Sequence, residues 1–371
     1  MINIGILTFP MAQANLKPTS NFVNIIQALS NNIFIIIVYN KEIPIHEDGK
    51  NREIYKIGHK SGKNPLNRIS NYILTQLRIS YKFAKLSKDV DLWFFYIGDT
   101  AVVPMIIAKI LRKRVILAVA GFMEKEIELK NDFIAKILKP FKRINLAFSD
   151  GIILYSPNLI KEWNLEKYRN KISIAHEHFL DFDKFKIKKN FYERDNLVGY
   201  IGRLSEEKGV WEFVKAIPQI TKENAEIKVL IGGDGLLRDK IEAFLNENNL
   251  NSKVKLVGWI PQDELPDYLN ELKLIVLPSY TEGLPNIMLE AMACGTLVLA
   301  TPVGAIPDVI RDGETGFIVE NNSPECIAKN IMRVLNYQNL DRIVKNANEL
   351  IRKEFTYEAA TEWYRKILEN I

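Results

Sequence analysis

The chain has 371 residues, of which 47% are hydrophobic and 26% charged, and it holds 50 Lys and Arg against 45 Asp and Glu. This is the composition of a globular protein, which excludes a disordered or fibrous chain, and the length predicts two domains. The net charge of +5 conceals an asymmetry. Residues 1–185 carry 27 basic and 17 acidic residues, a balance of +10, which leaves −5 for the remainder. The two halves therefore present differently charged surfaces.

Two cysteines, Cys294 and Cys326, are too few for a disulfide framework or a cysteine zinc cluster, so we expect a reducing, cytoplasmic compartment. The first residues contain neither a basic segment nor a small-residue cleavage site, so we expect no signal peptide. Residues 18–40 carry no charge but include several Asn and a Gln. They predict an amphipathic helix followed by a buried strand, and not a membrane span.

Short apolar runs alternate with helical periods through most of the chain, which is the pattern of parallel sheets covered on both faces. The strands predicted in the first half are Ile2–Leu7, Ile33–Val38, Leu92–Ile97, Val115–Val119, Gly151–Leu154 and Ile172–Ala175. Those predicted in the second half are Leu197–Ile201, Ile227–Ile231, Val254–Val257, Leu274–Leu277, Leu297–Ala300 and Phe317–Val319. Two sets of six predict an α/β protein of two doubly wound, Rossmann-like, parallel-sheet domains that face each other across a cleft.

The domain boundaries follow from the same alternation. A charged stretch with little apolar periodicity, Asp181–Asn196, is the expected linker. We therefore expect an N-terminal domain at residues 1–185 and a C-terminal domain at residues 186–354. Residues 355–371 have the apolar spacing of an amphipathic helix, which we expect to cross back to the first domain.

The basic excess of the first half is concentrated. Between Glu53 and Asp89 the chain has eight Lys or Arg and no acid. Apolar residues recur there at helical spacing: Ile69, Tyr72, Ile73, Leu77, Tyr81, Ala84 and Leu86. A basic amphipathic helix is typical of a segment at an anionic membrane surface, and two further clusters, Lys109–Arg114 and Lys136–Arg143, add to the charge. The alternative is a helix with a solvated basic face. We expect no nucleic-acid partner, because no binding motif accompanies the charge.

The segment Pro278–Gly295 carries the most informative pattern, with two glutamates separated by seven residues. It follows a predicted strand and begins a helix, so Glu282 falls in the loop and Glu290 in the helix. Free N–H groups at a helix start suit a phosphate, and Gly283 allows a ligand to approach the backbone closely. A carboxylate at Glu290 suits the hydroxyls of a ribose. The alternative is an ordinary strand-to-helix turn.

Six motifs in the second half follow one another in a characteristic order. They are Gly202–Gly209 (GRLSEEKG), Gly232–Gly235 (GGDG), Val257–Ile260 (VGWI), the segment Pro278–Gly295, Thr301–Ile310 and Asp312–Val319. Together, over residues 197–335, they resemble the retaining family 4 glycosyltransferases (glycosyl transferases group 1) of the GT-B fold. The resemblance implies that the first domain binds the acceptor and the second the nucleotide-sugar donor.

That resemblance assigns roles to individual residues. It implies that a nucleoside-diphosphate sugar gives its sugar to a hydroxyl of a glycan or lipid-linked acceptor with retention of configuration, without cofactor or essential metal. Arg203 and Lys208 would stabilise the leaving diphosphate, because fixed cations act most strongly where negative charge develops. Glu282 would hold sugar hydroxyls, completing the catalytic set. The residues expected to bind the donor are Gly202, Gly283, Leu284, Pro285, Asn286, Ile287, Glu290 and Ile260.

The first half departs from the family pattern, so acceptor-binding residues are not assigned. The loop Thr8–Lys17 has no Gly, although that loop is often glycine-rich in the family. Ala120 stands where many members have a His, and Glu124 is a candidate to replace it. His176 and His178 occupy the usual place of an Asn-Gly pair. They either form a site for the donor or acceptor or are packed or solvent-facing side chains.

Two Asp-x-Asp triplets, Asp89–Asp91 and Asp181–Asp183, could hold a metal in a glycosyltransferase of the other major fold. Their places before a strand and in the linker indicate structural roles. Gly232–Gly235 lacks the spacing of a dinucleotide site, which excludes a nicotinamide cofactor. Two alternatives remain: a nucleotide-sugar 2-epimerase on the same fold, and a non-catalytic relative that only binds nucleotide sugars.

Overall fold

The computed structural model describes residues 2–11, 16–39, 51–60, 62, 64–119 and 133–370. The chain divides into two compact units. Unit 1 comprises Met1–Phe179 together with Tyr357–Ile371, and unit 2 comprises Leu180–Thr356. Both are doubly wound α/β units, so the predicted fold class is confirmed.

Unit 1 contains a seven-stranded sheet whose strands lie in the order β3-β2-β1-β4-β5-β6-β7, all paired in parallel. The strands are β1 (Ile4–Met11), β2 (Ile33–Tyr39), β3 (Arg52–Gly58), β4 (Leu92–Tyr96), β5 (Arg114–Val119), β6 (Gly151–Leu154) and β7 (Ile172–Ile174). The helices are α1 (Leu16–Ala28), α2 (Pro65–Leu86), α3 (Val102–Ile110), α4 (Phe133–Phe148), α5 (Asn158–Glu162) and the last of the chain, α13 (Tyr357–Glu369). The central strands are continuous apolar runs because helices cover both faces of the sheet.

Helix α13 supplies part of the unit 1 core. Tyr364 is fully buried and its ring meets that of Phe22 on α1 edge to face, with 5.4 Å between centroids. Ala360 and Ile367, three to four residues away on the same helical face, are buried in the same cluster. The amphipathic pattern at the end of the chain thus places its apolar stripe against the first α/β unit.

Unit 2 contains a six-stranded parallel sheet in the order β10-β9-β8-β11-β12-β13. The strands are β8 (Leu197–Ile201), β9 (Lys228–Gly232), β10 (Val254–Gly258), β11 (Leu274–Leu277), β12 (Leu297–Ala300) and β13 (Phe317–Ile318). The helices are α6 (Val210–Glu223), α7 (Arg238–Glu247), α8 (Leu265–Glu271), α9 (Asn286–Ala293), α10 (Ile306–Val309), α11 (Pro324–Leu335) and α12 (Leu340–Glu354). The chain winds outward from β8 to β10 and then returns to β11 on the other side of β8. The carboxyl ends of β8 and β11 therefore form the topological switch point, where such sheets bind ligands.

The expected linker packs on unit 2. Phe185 is buried, and Lys184 and Lys188 pair with Asp263 and Asp267, beside and on α8, at 2.8 and 2.6 Å. The unit boundary lies between Phe179 and Leu180, six residues before the one expected from composition. Three lysines of this stretch, Lys184, Lys188 and Lys189, thus pair with acids of the second unit.

Strand β3 was missed, and the sequence prediction of six strands in the first half was therefore wrong. β3 is the edge strand of its sheet and is only partly buried, so charged residues such as Arg52 and Lys56 interrupt its apolar pattern. The apolar residues that helical spacing grouped on one face of α2 do not all pack in the core. Ile73, Leu77 and Tyr81 are exposed. Within the described residues, no helix is long and apolar enough to cross a membrane.

Candidate functional site

Two loops meet at the switch point of unit 2. Gly202–Gly209 follows β8, and Pro278–Pro285 follows the neighbouring strand β11. Gly209 has φ +66°, and a Cβ there would lie 1.9 Å from the carbonyl oxygen of Pro278. The backbone N–H of Tyr280 also donates to the carbonyl of Glu207, at 2.9 Å. The glycine is required because the two loops pack backbone to backbone.

This packing brings Lys208 and Glu282, one from each loop, into an ion pair. Lys208 Nζ lies 2.7 Å from Glu282 Oε1, and Ser279 Oγ donates to the same oxygen at 2.7 Å. The side chain of Lys208 is 27% exposed and that of Glu282 10%. A cation and a carboxylate that the sequence predicted in separate roles thus form one half-buried charged pair at the ligand-binding edge of the sheet.

Arg203 has a different partner. Its Nη1 lies 3.2 Å from Oε1 of Glu207, which also accepts from Ser205 Oγ at 2.7 Å. The Glu207 side chain is only 9% exposed while that of Arg203 is 53% exposed. A buried carboxylate thus holds one terminal nitrogen of the guanidinium, while about half of the Arg203 side chain remains exposed to solvent. Sequence reasoning missed Glu207. The signal was the Glu-Glu-Lys turn, where one acid faces inward and the other, Glu206, is exposed.

Tyr200, which is buried, stabilises the loop that contains Arg203. Its hydroxyl donates to the carbonyl oxygen of Arg203 at 2.6 Å. Burial, with the nearby carboxylates of Glu282 and Glu207, raises the pKa of Tyr200. The hydroxyl therefore remains protonated and keeps donating to the backbone of the loop.

Helix α9 begins directly after the second loop. Pro285 occupies the position before the first helical residue, and among the described residues no side chain caps the helix. The first turn, which includes Asn286 and Ile287, therefore directs backbone N–H groups outward, where they suit an anion. The loop before it is fixed because the carbonyl of Gly283 accepts from the N–H of Ala305 at 2.8 Å.

Glu290 and Ile260 complete the predicted donor residues. Glu290 is buried inside α9, and its Oε1 accepts from Gln262 Nε2 at 2.9 Å. Ile260 covers Gly232, where a Cβ would lie 2.5 Å from the Ile260 Cδ1. Sequence reasoning did not identify Gln262, although it follows Ile260 by two residues. The structure thus joins the β10 loop to α9 through a buried carboxylate.

The predictions for unit 1 have mixed outcomes. Ala120 and Glu124 lie outside the described residues. His178 is buried, and its ring lies edge to face against Tyr155 at 5.0 Å between centroids. Burial, followed by the proximity of His178, lowers the pKa of His176 to about 3, so its imidazole is neutral at physiological pH. The histidines belong to a packed cluster around Glu177, whose Oε1 accepts from the hydroxyls of Tyr96 and Tyr155.

In each Asp-x-Asp triplet, a carboxylate accepts hydrogen bonds from backbone N–H groups. Asp181 Oδ1 accepts from the N–H groups of Asp183 and Lys184, at 3.0 and 3.2 Å, which is an Asx-type turn. Asp91 Oδ2 accepts from the N–H of Asn3 at 2.9 Å. These contacts fit the structural roles that the sequence positions indicated.

Comparison with known proteins bears on the second unit above all. The family profile described as glycosyl transferases group 1 matches residues 181–350. An uncharacterized glycosyltransferase of Methanocaldococcus jannaschii is 30% identical over 172 residues, which are 46% of this chain and 47% of that protein. A Campylobacter jejuni enzyme is 28% identical over 63% of this chain and 64% of its own length. Its name describes an α-1,4-N-acetyl-D-galactosaminyltransferase acting on a diphospho-undecaprenol-linked saccharide. The chain thus spans about half to two thirds of these relatives' length.

A solved structure extends the likeness to the whole fold. The HepE protein of Anabaena, crystallised in complex with UDP, superimposes with a TM-score of 0.76 over all of both chains at 16% identity. At this identity the match shows the fold alone, which is GT-B. Residues 181–350 thus match the glycosyl transferases group 1 family, and the chain as a whole has the GT-B fold.

Proposed function

We propose that this protein transfers a sugar from a nucleoside-diphosphate sugar to a hydroxyl of a glycan or lipid-linked acceptor, with retention of configuration. The observation that carries the proposal is the Lys208–Glu282 pair, which joins the loops after β8 and β11 at the switch point of the sheet. An ammonium, a carboxylate and the N–H groups of a helix start are the groups that a sugar diphosphate requires.

Charge develops on the diphosphate as its bond to the sugar breaks. Lys208 and Arg203 supply the compensating cations in this proposal, and the N–H groups at Asn286 and Ile287 supply dipoles. These groups are in place before the donor arrives, so little reorganisation is needed during the reaction. The same cations take the place of a metal ion in neutralising the leaving group.

Glu282 orients the transferred sugar in the proposed complex. Within the described part of the chain, its two hydrogen bonds, from Lys208 and Ser279, both end on Oε1. Its Oε2 is therefore the atom that accepts a sugar hydroxyl. Glu290, buried in α9 and held by Gln262, is the carboxylate proposed for the ribose.

Two relatives support the choice of substrates. HepE was solved with UDP, which supports a UDP-sugar as the donor. The name of the Campylobacter jejuni enzyme describes an acceptor saccharide linked to undecaprenol through a diphosphate, which supports a lipid-linked acceptor. Such acceptors lie in membranes. We propose that the basic first unit contacts an anionic membrane surface, in line with its balance of +10.

A thermal-shift panel of UDP-, GDP- and ADP-sugars tests the proposed function. A donor at a hundred times its Kd stabilises the fold by about 2.7 kcal/mol, which raises the Tm by roughly 5–11 °C for a unit of this size. The Lys208→Ala variant should lose most of that shift. The matched Lys184→Ala variant removes a lysine of nearly equal exposure, 29%, and should keep it. No shift with any nucleotide sugar would contradict the proposal.

A further inference from the structure

Helix α2 carries two sets of apolar side chains, one buried in unit 1 and one exposed on its outer side. Its inner face packs Phe83 on Trp93, with 4.3 Å between ring centroids, and buries Ile79 and Leu86. Five large apolar side chains lie on the outer side, between 50% and 79% exposed: Leu66, Ile73, Leu74, Leu77 and Tyr81. Helix positions 66, 73, 77 and 81 fall on one stripe. A stripe of this size on a surface helix marks an interaction site.

A groove runs along this stripe. It has a volume of about 720 Å³ and lies between α2 and the edge strand β3. Its apolar lining comes from side chains such as Ile54 and Ile57 on β3 and Leu74 and Leu77 on α2. The groove is thus continuous with the exposed stripe and widens the apolar surface beyond the helix itself.

Cations border the same groove. Lys56 on β3 and Arg78 and Lys82 on α2 line it, and the ammonium of Lys82 lies 3.5 Å from the ring centroid of Tyr55. Helix α2 contains no acid, and on β3 the one acid, Glu53, accepts from the hydroxyl of Tyr55. An apolar centre with basic residues along its margin complements an anionic bilayer, whose phosphates lie above its acyl chains.

The other basic clusters of unit 1 are partly neutralised within the fold. Lys109 pairs with Asp150 at 2.6 Å, and Lys142 is buried and lies 3.5 Å from Asp99. Lys113 donates to the carbonyl of Val90 at 2.9 Å. The charge excess that first pointed to a membrane is therefore best placed for docking at α2 and not at these clusters.

We propose that the outer face of α2, with the groove beside β3, docks on an anionic phospholipid membrane. In this arrangement Leu74, Leu77 and Tyr81 enter the interfacial layer, and Arg78 and Lys82 contact lipid phosphates. The inference deepens the proposed function, since it names the surface through which the first unit reaches a lipid-linked acceptor. It rests on that function only for the acceptor, because vesicle binding needs neither donor nor turnover.

Co-sedimentation with vesicles tests the docking face, using phosphatidylcholine alone and equal parts phosphatidylcholine and phosphatidylglycerol. We expect binding to the mixed vesicles only. Arg78→Gln with Lys82→Gln should weaken it about 25-fold, about fivefold per charge, and reduce its salt dependence. Leu77→Glu should weaken it at least about tenfold and reduce its salt dependence by about half as much, because it lowers the positive charge of this face by one and not by two. Leu77 and Arg78 are exposed, and Lys82 loses only its contact with the Tyr55 ring, so the Tm should fall by no more than about 4 °C.

Matched controls separate this face from surface charge and apolarity in general. Arg342→Gln with Lys345→Gln removes two exposed cations from α12, and Leu236→Glu places an acid at a leucine that is 96% exposed in unit 2. Both should bind vesicles as the unaltered chain does. Equal losses in these controls, equal binding to phosphatidylcholine alone, or no vesicle binding at all would overturn the docking face. So would a dimer in solution that Leu77→Glu disrupts while vesicles remain unbound, because a second copy would then cover the stripe. A donor thermal shift without vesicle binding refutes the docking and leaves the proposed function standing, and the reverse result refutes the function alone.

Discussion

Replacing Lys208 by Ala should separate the contribution of the Lys208–Glu282 pair to stability from its contribution to catalysis. The bond is charge-assisted and 2.7 Å long, a class that contributes about 1.5–3 kcal/mol. Because the Lys208 side chain is 27% exposed and Ser279 still donates to Glu282, we expect the lower end of that range, about 1.5 kcal/mol. This corresponds to a fall in Tm of roughly 3–6 °C.

The loss of turnover should be far larger. Removing one fixed donor from a developing negative charge lowers kcat by about 10²–10³-fold. The assay is the rate of nucleoside diphosphate release at saturating donor and acceptor, measured well below the Tm of the variant. Lys184→Ala is the control, because Lys184 is equally exposed and pairs with Asp263 at 2.8 Å, yet lies outside the two loops. A fall in kcat of less than about tenfold for Lys208→Ala, or an equal fall for Lys184→Ala, would refute the assignment.

Three further predictions concern packing inside the two units, one in unit 2 and two in unit 1. Gly209→Ala should lower the free energy of unfolding in urea by at least about 3 kcal/mol, since its Cβ would meet the Pro278 carbonyl oxygen at φ +66°. The control Gly58→Ala, whose Cβ would have its nearest neighbour at 3.9 Å, should change that free energy little. Equal losses in the two variants would contradict the prediction. Tyr364→Phe should leave the free energy of unfolding unchanged or higher, because within the described residues the buried Tyr364 hydroxyl has no hydrogen-bond partner. Tyr364→Ala should lower it by about 3–5 kcal/mol, because it removes the buried ring. A Phe variant as unstable as the Ala variant would contradict this. Burial raises the pKa of Glu177, so the stability it contributes is present below the unfolded pKa and is lost as pH rises through the folded pKa. Glu177→Gln should therefore gain free energy of unfolding relative to the unaltered chain as pH increases from about 4 to 8, and a difference that stays constant with pH would argue against it.

The sequence patterns that succeeded are those set by burial on both faces of a sheet. β2 and β11 are uninterrupted apolar runs because helices cover both sides, so their positions were predicted within about one residue. β3 escaped because an edge strand exposes one side, and its charged residues broke the apolar run. Its partner α2 was predicted as an amphipathic helix, but periodicity alone could not assign which apolar face packs inward.

The candidate site shows a similar division. The two loops and the position of Glu282 before α9 follow from the order of strand, loop and helix in the sequence. The pairing of Lys208 with Glu282, 74 positions apart, depends on the adjacency of β8 and β11, which strand order along the chain does not specify. Glu207 was missed for a related reason. Only the turn geometry decides that it faces inward to hold Arg203.

The most direct test of the central claim measures nucleoside diphosphate release and sugar transfer together, with and without acceptor, using the donor that gives the largest thermal shift. The proposal predicts acceptor-dependent release, one glycosylated product for each nucleoside diphosphate, and an anomeric proton in the product with the configuration of the donor. A donor whose sugar is epimerised in the absence of acceptor, or one that binds without any turnover across a broad acceptor panel, would contradict it.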